Sequence, residues 1–106
     1  MFHTQAPASY DLWSNSQMCD GGKWQPNAYA YAAGGGGTSP GTHMTEQQAI
    51  ATGIDYCAGA LASDSSCSKE WIAVAHNNGH CWCVTDPACS AKKDSGGRFQ
   101  FKKQAI

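Results

Sequence analysis

Six cysteines hold most of the chemical potential of this chain. Cys19 stands near the start, and Cys57, Cys67, Cys81, Cys83 and Cys89 crowd into the second half. Such sulfurs either ligate a metal or pair as disulfides, and their surroundings separate the two. His76, His80, Cys81 and Cys83 lie close together in sequence, and a Cys-x-Cys beside two histidines has donors suited to zinc. Structural zinc sites favour paired Cys-x-x-Cys or His-x-x-x-His knuckles. Here only the spacing of His76 and His80 fits, across an Asn77-Asn78-Gly79 stretch that reads as a tight turn. An even cysteine count in a 106-residue chain with few charges instead suits a disulfide framework and an oxidising compartment. No metal or cofactor is expected.

The other reactive side chains form no catalytic constellation. General acid–base work needs carboxylates or histidines gathered in a pocket, whereas Asp11, Asp20, Glu46, Asp55, Asp64, Glu70, Asp86 and Asp94 are scattered singly. No serine sits in a nucleophile elbow, and Gly34–Gly37 lacks the lysine and preceding apolar strand of a phosphate loop. Paired cysteines are not nucleophiles. The expectation is a protein that is not an enzyme. Aromatic side chains remain for recognition: Trp13, Trp24, Tyr29 and Tyr31 precede the glycine-rich stretch in an otherwise small and polar segment. Such rings stack on sugars or fill a partner's pocket. Trp24, Tyr29 and Tyr31 are the candidate contacts to a ligand or partner, and Trp13 is expected to cover the open side of a sheet.

Composition narrows the partners. Seven Lys and Arg against eight Asp and Glu leave a formal charge of −1, which offers no field for nucleic acid or an acidic lipid surface. Lys92-Lys93 and Lys102-Lys103 read as solvated pairs. No apolar run approaches the roughly 20 residues of a membrane helix, so no membrane span is expected. Met1 to Gln5 lacks the features of a secretory signal. Oxidised cysteines then imply a leader absent from this chain, or a chain that is a fragment. No Asn-x-Ser/Thr acceptor occurs.

The elements that must position these residues follow from periodicity. One domain over 1–106 is the natural size. Residues 34–43 are glycine-rich and read as a flexible loop, with Thr38, Ser39 and Thr42 beside Pro40 as compositional hints of O-glycosylation. Thr45 to Gln48 fits a capping box, and Ile50, Ile54, Cys57 and Leu61 recur on one face, predicting a helix from about Glu46 to about Ala62. Ser63 to Ser66 ends it, since these side chains compete for the helical backbone. Trp71–Ala75 and Cys81–Val84 predict a hairpin with Asn78-Gly79 at its tip, in which His76 faces Cys81 and Val74 faces Cys83. Cys81, Cys83, Val74 and Ile72 would share the face toward the helix, and Trp71 and Trp82 would pack on the other. Arg98–Lys102 alternates and predicts a strand with Phe99 and Phe101 inward. Tyr10–Trp13 suggests another. The fold class is α+β, one helix packed on a small antiparallel sheet and stapled by disulfides. Six cysteines allow 15 connectivities, among which spacing does not choose.

The order of these parts resembles the PAN/apple family, in the divergent form of secreted protist proteins. The likeness runs from Tyr10-Asp11-Leu12 and Cys19, through the capped helix with Cys57-Ala58-Gly59-Ala60-Leu61, to Ala62-Ser63-Asp64-Ser65-Ser66-Cys67, the hairpin closing on Gly79-His80-Cys81 and the terminal Phe-rich strand. It spans roughly residues 9–103. In the family the helix usually bears two cysteines four apart, and Leu61 stands in the second position. The resemblance therefore implies that Cys57 pairs with Cys81, that the unpartnered Cys67 takes the additional Cys83, and that Cys19 pairs with Cys89. It also implies a non-catalytic recognition or assembly module that binds protein or carbohydrate, extracellularly or in another oxidising lumen. The second expectation is a small accessory subunit stabilising a large complex in an oxidising lumen such as a thylakoid lumen, or in an extracellular fibre. There the aromatic, glycine-rich segment from Trp24 to Pro40 would order only against its neighbours.

Overall fold

The structure, a computed structural model, describes residues 10–33, 44–76, 78–94 and 97–104; the glycine-rich segment 34–43, with Thr38, Ser39 and Thr42, lies outside them. Among the described residues seven strands form two antiparallel sheets: β1 (Tyr10–Ser14), β2 (Gln17–Cys19), β3 (Gly22–Tyr29), β4 (Trp71–Ala75), β5 (His80–Val84), β6 (Lys92–Asp94) and β7 (Arg98–Lys103). The main sheet runs β1-β7-β4-β5-β3, and β2 pairs with β6. The helix between β3 and β4 completes an α+β fold, stapled by Cys19–Cys89, Cys57–Cys81 and Cys67–Cys83. These are the pairs that the PAN/apple likeness implies.

The helix begins as its capping box dictates. The Thr45 hydroxyl accepts from the Gln48 amide at 3.1 Å, and the Gln48 side-chain oxygen accepts from the Thr45 amide at 2.9 Å. It is not uniform, however. A first α-turn, α1 (Glu46–Gln48), passes into a π-helical turn over Ala49–Gly53 before α2 (Ile54–Leu61). The Ile54 amide bonds back to the Ala49 carbonyl, five residues earlier. That wider turn brings Ala49 and Gly53 onto the buried face with Ile54, Cys57 and Leu61, and leaves Ile50 48% exposed. Ile50 is therefore not on the core face that its spacing predicts. Gly53 allows the close approach of Met44, whose Sδ would lie 2.9 Å from a Cβ at that position. At the C-terminal end, the Lys69 ammonium donates to the Leu61 carbonyl, one of the acceptors that the helix leaves open, and to the Asp64 and Cys67 carbonyls of the turns that follow.

Both faces of the main sheet are used. Toward the helix lie Ile72, Val74, Cys81, Cys83, Phe99 and Phe101, packed with Ile54, Cys57 and Leu61. On the opposite face Trp71, Val84 and the Cys19–Cys89 bridge form a second, smaller core, with Trp82 against it. Gln100 is buried beside it, and its side-chain oxygen accepts from the Cys19 amide at 2.9 Å. Trp13 meets Trp71 edge-on at 5.5 Å yet stays 39% exposed.

The hairpin differs from its expected register by two residues. Val74 pairs with Cys81 and Ile72 with Cys83, which keeps the same side chains on the helix face but lengthens the connection. The Gly79 amide bonds to the Ala75 carbonyl at 3.0 Å, with Gly79 at φ +70°. The longer turn is held by its neighbours: Ala30 donates to the Gly79 carbonyl and Met44 to that of His76. An added Cβ on Gly79 would lie 2.7 Å from the Ala30 Cβ, so the close approach of Ala30 requires glycine at this position of the turn.

Candidate functional site

From Gly22 to Tyr29 the chain is strand, so the first part of the Trp24–Pro40 segment is ordered against β5 of the same chain rather than only against neighbours, while residues 34–40 lie outside the described residues. β3 joins the edge of the main sheet, with Gly22 opposite Val84, Lys23 opposite Cys83 and Trp24 opposite Trp82. Between Trp24 and Tyr29 the register shifts, over a stretch holding Pro26, which has no amide to give, and Asn27 at φ +60°. In a regular strand, residues five apart point to opposite faces. The bulge cancels that alternation: Trp24 stacks on the His80 imidazole at 4.7 Å and Tyr29 stacks on the same ring at 4.2 Å.

His80 and Trp82 lie on the sheet face away from the helix, since Cys81 and Cys83 occupy the other. Trp24 also meets Trp82 edge-on at 4.8 Å, and the Arg98 guanidinium lies 4.7 Å from the Trp24 ring centre. Tyr31, on the 3-10 turn Ala30–Ala33, is tilted against Tyr29 at 5.7 Å. The three candidate contact residues are thus gathered at one corner. Trp24 and Tyr29 are tied together by His80, and Tyr31 joins at the rim.

An open cleft of about 390 Å³ adjoins this corner, lined by Trp24, Ala75, His76, Asn78, His80, Gly97 and Arg98. No carboxylate is among those residues. The Nε2–H of His80 donates to the Gln25 carbonyl at 2.8 Å, which leaves Nδ1 as an acceptor. Burial, with the nearby Arg98 charge, holds this imidazole below its ordinary range despite that hydrogen bond. Burial also pulls Arg98 down from its ordinary value. One guanidinium N–H reaches the Gly97 carbonyl at 3.2 Å, while Arg98 Nε is buried with no hydrogen-bond partner among the described residues.

Arg98 is a site residue that the sequence reading did not single out, while His80 was weighed there only as a zinc ligand and Asn78 only as a turn residue. The signal available was the alternation of the last strand, which puts Arg98 on the face opposite Phe99 and Phe101. The zinc alternative is not assembled: Cys81 and Cys83 are bonded to Cys57 and Cys67 and face the helix, away from His80. Asp64, Cys67 and Cys83 place their ligand atoms within 4.8 Å of one another, but those two sulfurs are bonded to each other. Several carboxylates serve local structure. Asp64 accepts from Ser66, Asp86 accepts from Ala88 and Ser90, and Asp20 pairs with Lys93. No helix among the described residues is long and apolar enough to cross a membrane. No family model matches the chain, and no curated protein or solved structure matches it.

Proposed function

We propose that this chain is a non-catalytic recognition module that binds protein or carbohydrate in an oxidising compartment, extracellular or in another oxidising lumen. The observation that carries the reading is the open cleft beside the Trp24–His80–Tyr29 stack, on the sheet face that the helix leaves free. Cys57–Cys81 and Cys67–Cys83 tie β5, the strand that carries His80, to the helix and the segment after it, which leaves that strand little chain entropy to lose on binding. The cleft combines aromatic surface, a cation and hydrogen-bonding groups without a nucleophile–base pair, a composition suited to holding a ligand rather than transforming it. The PAN/apple likeness supports the same class.

A glycan array probed with the native chain and with Trp24→Ala tests this. The native chain is expected to bind a subset of glycans and the variant to lose at least tenfold in apparent affinity. The variant's thermal midpoint should fall only by the equivalent of about 1–2 kcal/mol, because Trp24 packs against ring faces rather than inside either buried core. Equal binding by both chains would place recognition elsewhere. Co-migration of the native protein with a large assembly, with no glycan signal, would favour the accessory-subunit reading.

A further inference from the structure

Arg98 has a guanidinium with five N–H donors, and the Gly97 carbonyl takes one of them. Its Nε is buried and has no partner among the described residues, which leaves a ligand the terminal guanidinium N–H groups that Gly97 does not take; the ion pair found among those residues is the exposed one between Lys93 and Asp20. An arginine half-withdrawn from water without a carboxylate beside it is poorly satisfied. Its other neighbour is the Trp24 face, which orients the plane but supplies no acceptor. The cleft that Arg98 lines is polar on several sides. Asn78 already accepts the His80 amide on its Oδ1, which turns its NH₂ to donor duty, and His80 presents Nδ1 as an acceptor. Trp24 cannot serve as an open platform for a sugar ring, because His80 stacks on it and Arg98 lies over it. The occupant must therefore be held mainly by its polar groups.

From these features we propose that the cleft is a subsite for a carboxylate-bearing pyranose, a hexuronate, whose carboxylate pairs with Arg98 and whose hydroxyls meet Asn78 and His80. This rests on the recognition reading above and names its ligand class. A carboxylate matches the planar fork of arginine in two parallel hydrogen bonds. Ring hydroxyls, which both donate and accept, suit a rim with an amide donor on one residue and an imidazole acceptor on another. A volume of about 390 Å³ is at the small end of ligand pockets, on the scale of one sugar unit rather than a folded partner's edge.

The test is an NMR titration of the native chain with three probes of one shape: methyl glucuronoside, its neutral carboxamide and methyl glucoside. The glucuronoside is expected to shift the amide signals of Ala75, His80, Gly97 and Arg98, and the two neutral probes to bind at least tenfold more weakly. Arg98→Gln should abolish the preference, and Arg98→Lys should keep part of it, since the charge remains while the fork is lost. The comparison of probes on the native chain needs no variant to fold. Equal shifts from all three probes, or no shifts, overturn the proposal, as does competition by acetate at the same concentration as the glucuronoside, which would show that the ring is not read. Stronger shifts from a peptide ending in glutamate would assign the cleft to a partner chain's carboxylate instead. If no hexuronate binds while Trp24→Ala still weakens array binding, the recognition reading survives and this subsite does not.

Discussion

His80 shows how far a single side chain's surroundings decide its behaviour. Its ring lies between strand-borne neighbours, Trp24 and Tyr29 on β3 and Arg98 on β7, and its folded pKa is lowered, chiefly by burial. In the unfolded chain it titrates near pH 6.5. The unfolded state therefore binds the proton more readily, so His80 leaves stability intact above about pH 6.5 and removes some as the pH falls below it, until the folded ring is protonated as well. Thermal midpoints measured from pH 7.5 down to 5 should decline, and the decline should be shallower in His80→Gln. An identical slope in both chains would show that His80 does not carry it. Asp64 and Asp86 do not confuse this window. Hydrogen bonds, led by those from Ser66 and Ser90, hold both carboxyls below their ordinary range. Their contribution is present above about pH 4 and is lost only as the pH falls further. None of this was legible in the sequence: His80 is one of four histidines, and its stacking partners reach it only through a bulge in another strand. Trp24, Tyr29 and Tyr31 were legible as a group because large rings stand out in a small, polar segment. Arg98 was not, because one arginine at the start of a strand looks like any solvated end.

At the scale of elements, the sequence conveyed type better than phase. The capping box fixed where the helix begins, and the alternation of Phe99 and Phe101 fixed which way the last strand faces, since both are local rules. Phase failed wherever a tertiary contact outweighed the local rule. The π turn inserts a residue into the helical period so that Ala49 rather than Ile50 meets the core, and the hairpin slides by two residues because Ala30 and Met44 bind its turn. A substitution pair separates the regular helix from the observed one. Ile54→Ala, at a side chain only 3% exposed, should cost about 2–4 kcal/mol through lost burial and a residual cavity. Ile50→Ala should cost under about 1 kcal/mol, because half of that side chain already faces water. Urea unfolding of both variants decides it, and comparable losses at the two positions would restore the uninterrupted helix. β3 was missed for a related reason: Pro26 and the bulge erase its alternation, and what makes it a strand is the edge of β5.

Taken whole, the molecule divides its cross-links between the two faces of one sheet. Cys57–Cys81 and Cys67–Cys83 join the helix and the segment after it to β5, closing separations of 24 and 16 residues, while Cys19–Cys89 closes 70 residues on the opposite face. In the chain-entropy account the long closure contributes the most, about 4 kcal/mol against about 3 for each of the others. Yet the layer it holds is the thinner one: Trp71, Val84 and the bridge itself, beneath the three-residue strands β2 and β6. The cleft lies elsewhere on that face, where Ala75, His80 and Arg98 end their strands around the hairpin turn. Removing the bridge should therefore unfasten one part of the molecule and spare the other. In Cys19→Ala/Cys89→Ala, global stability is expected to drop by about 3–4 kcal/mol. Amides of β2 and β6 should exchange at nearly the rate of an open chain, while those of β4, β5 and α2 keep most of their protection, because the helix-side core and its two disulfides are untouched. Hydrogen exchange read residue by residue tests this directly. A uniform loss of protection across both faces would mean that the two cores melt as one unit, and that the Cys19–Cys89 bridge supports the cleft as much as it supports β2.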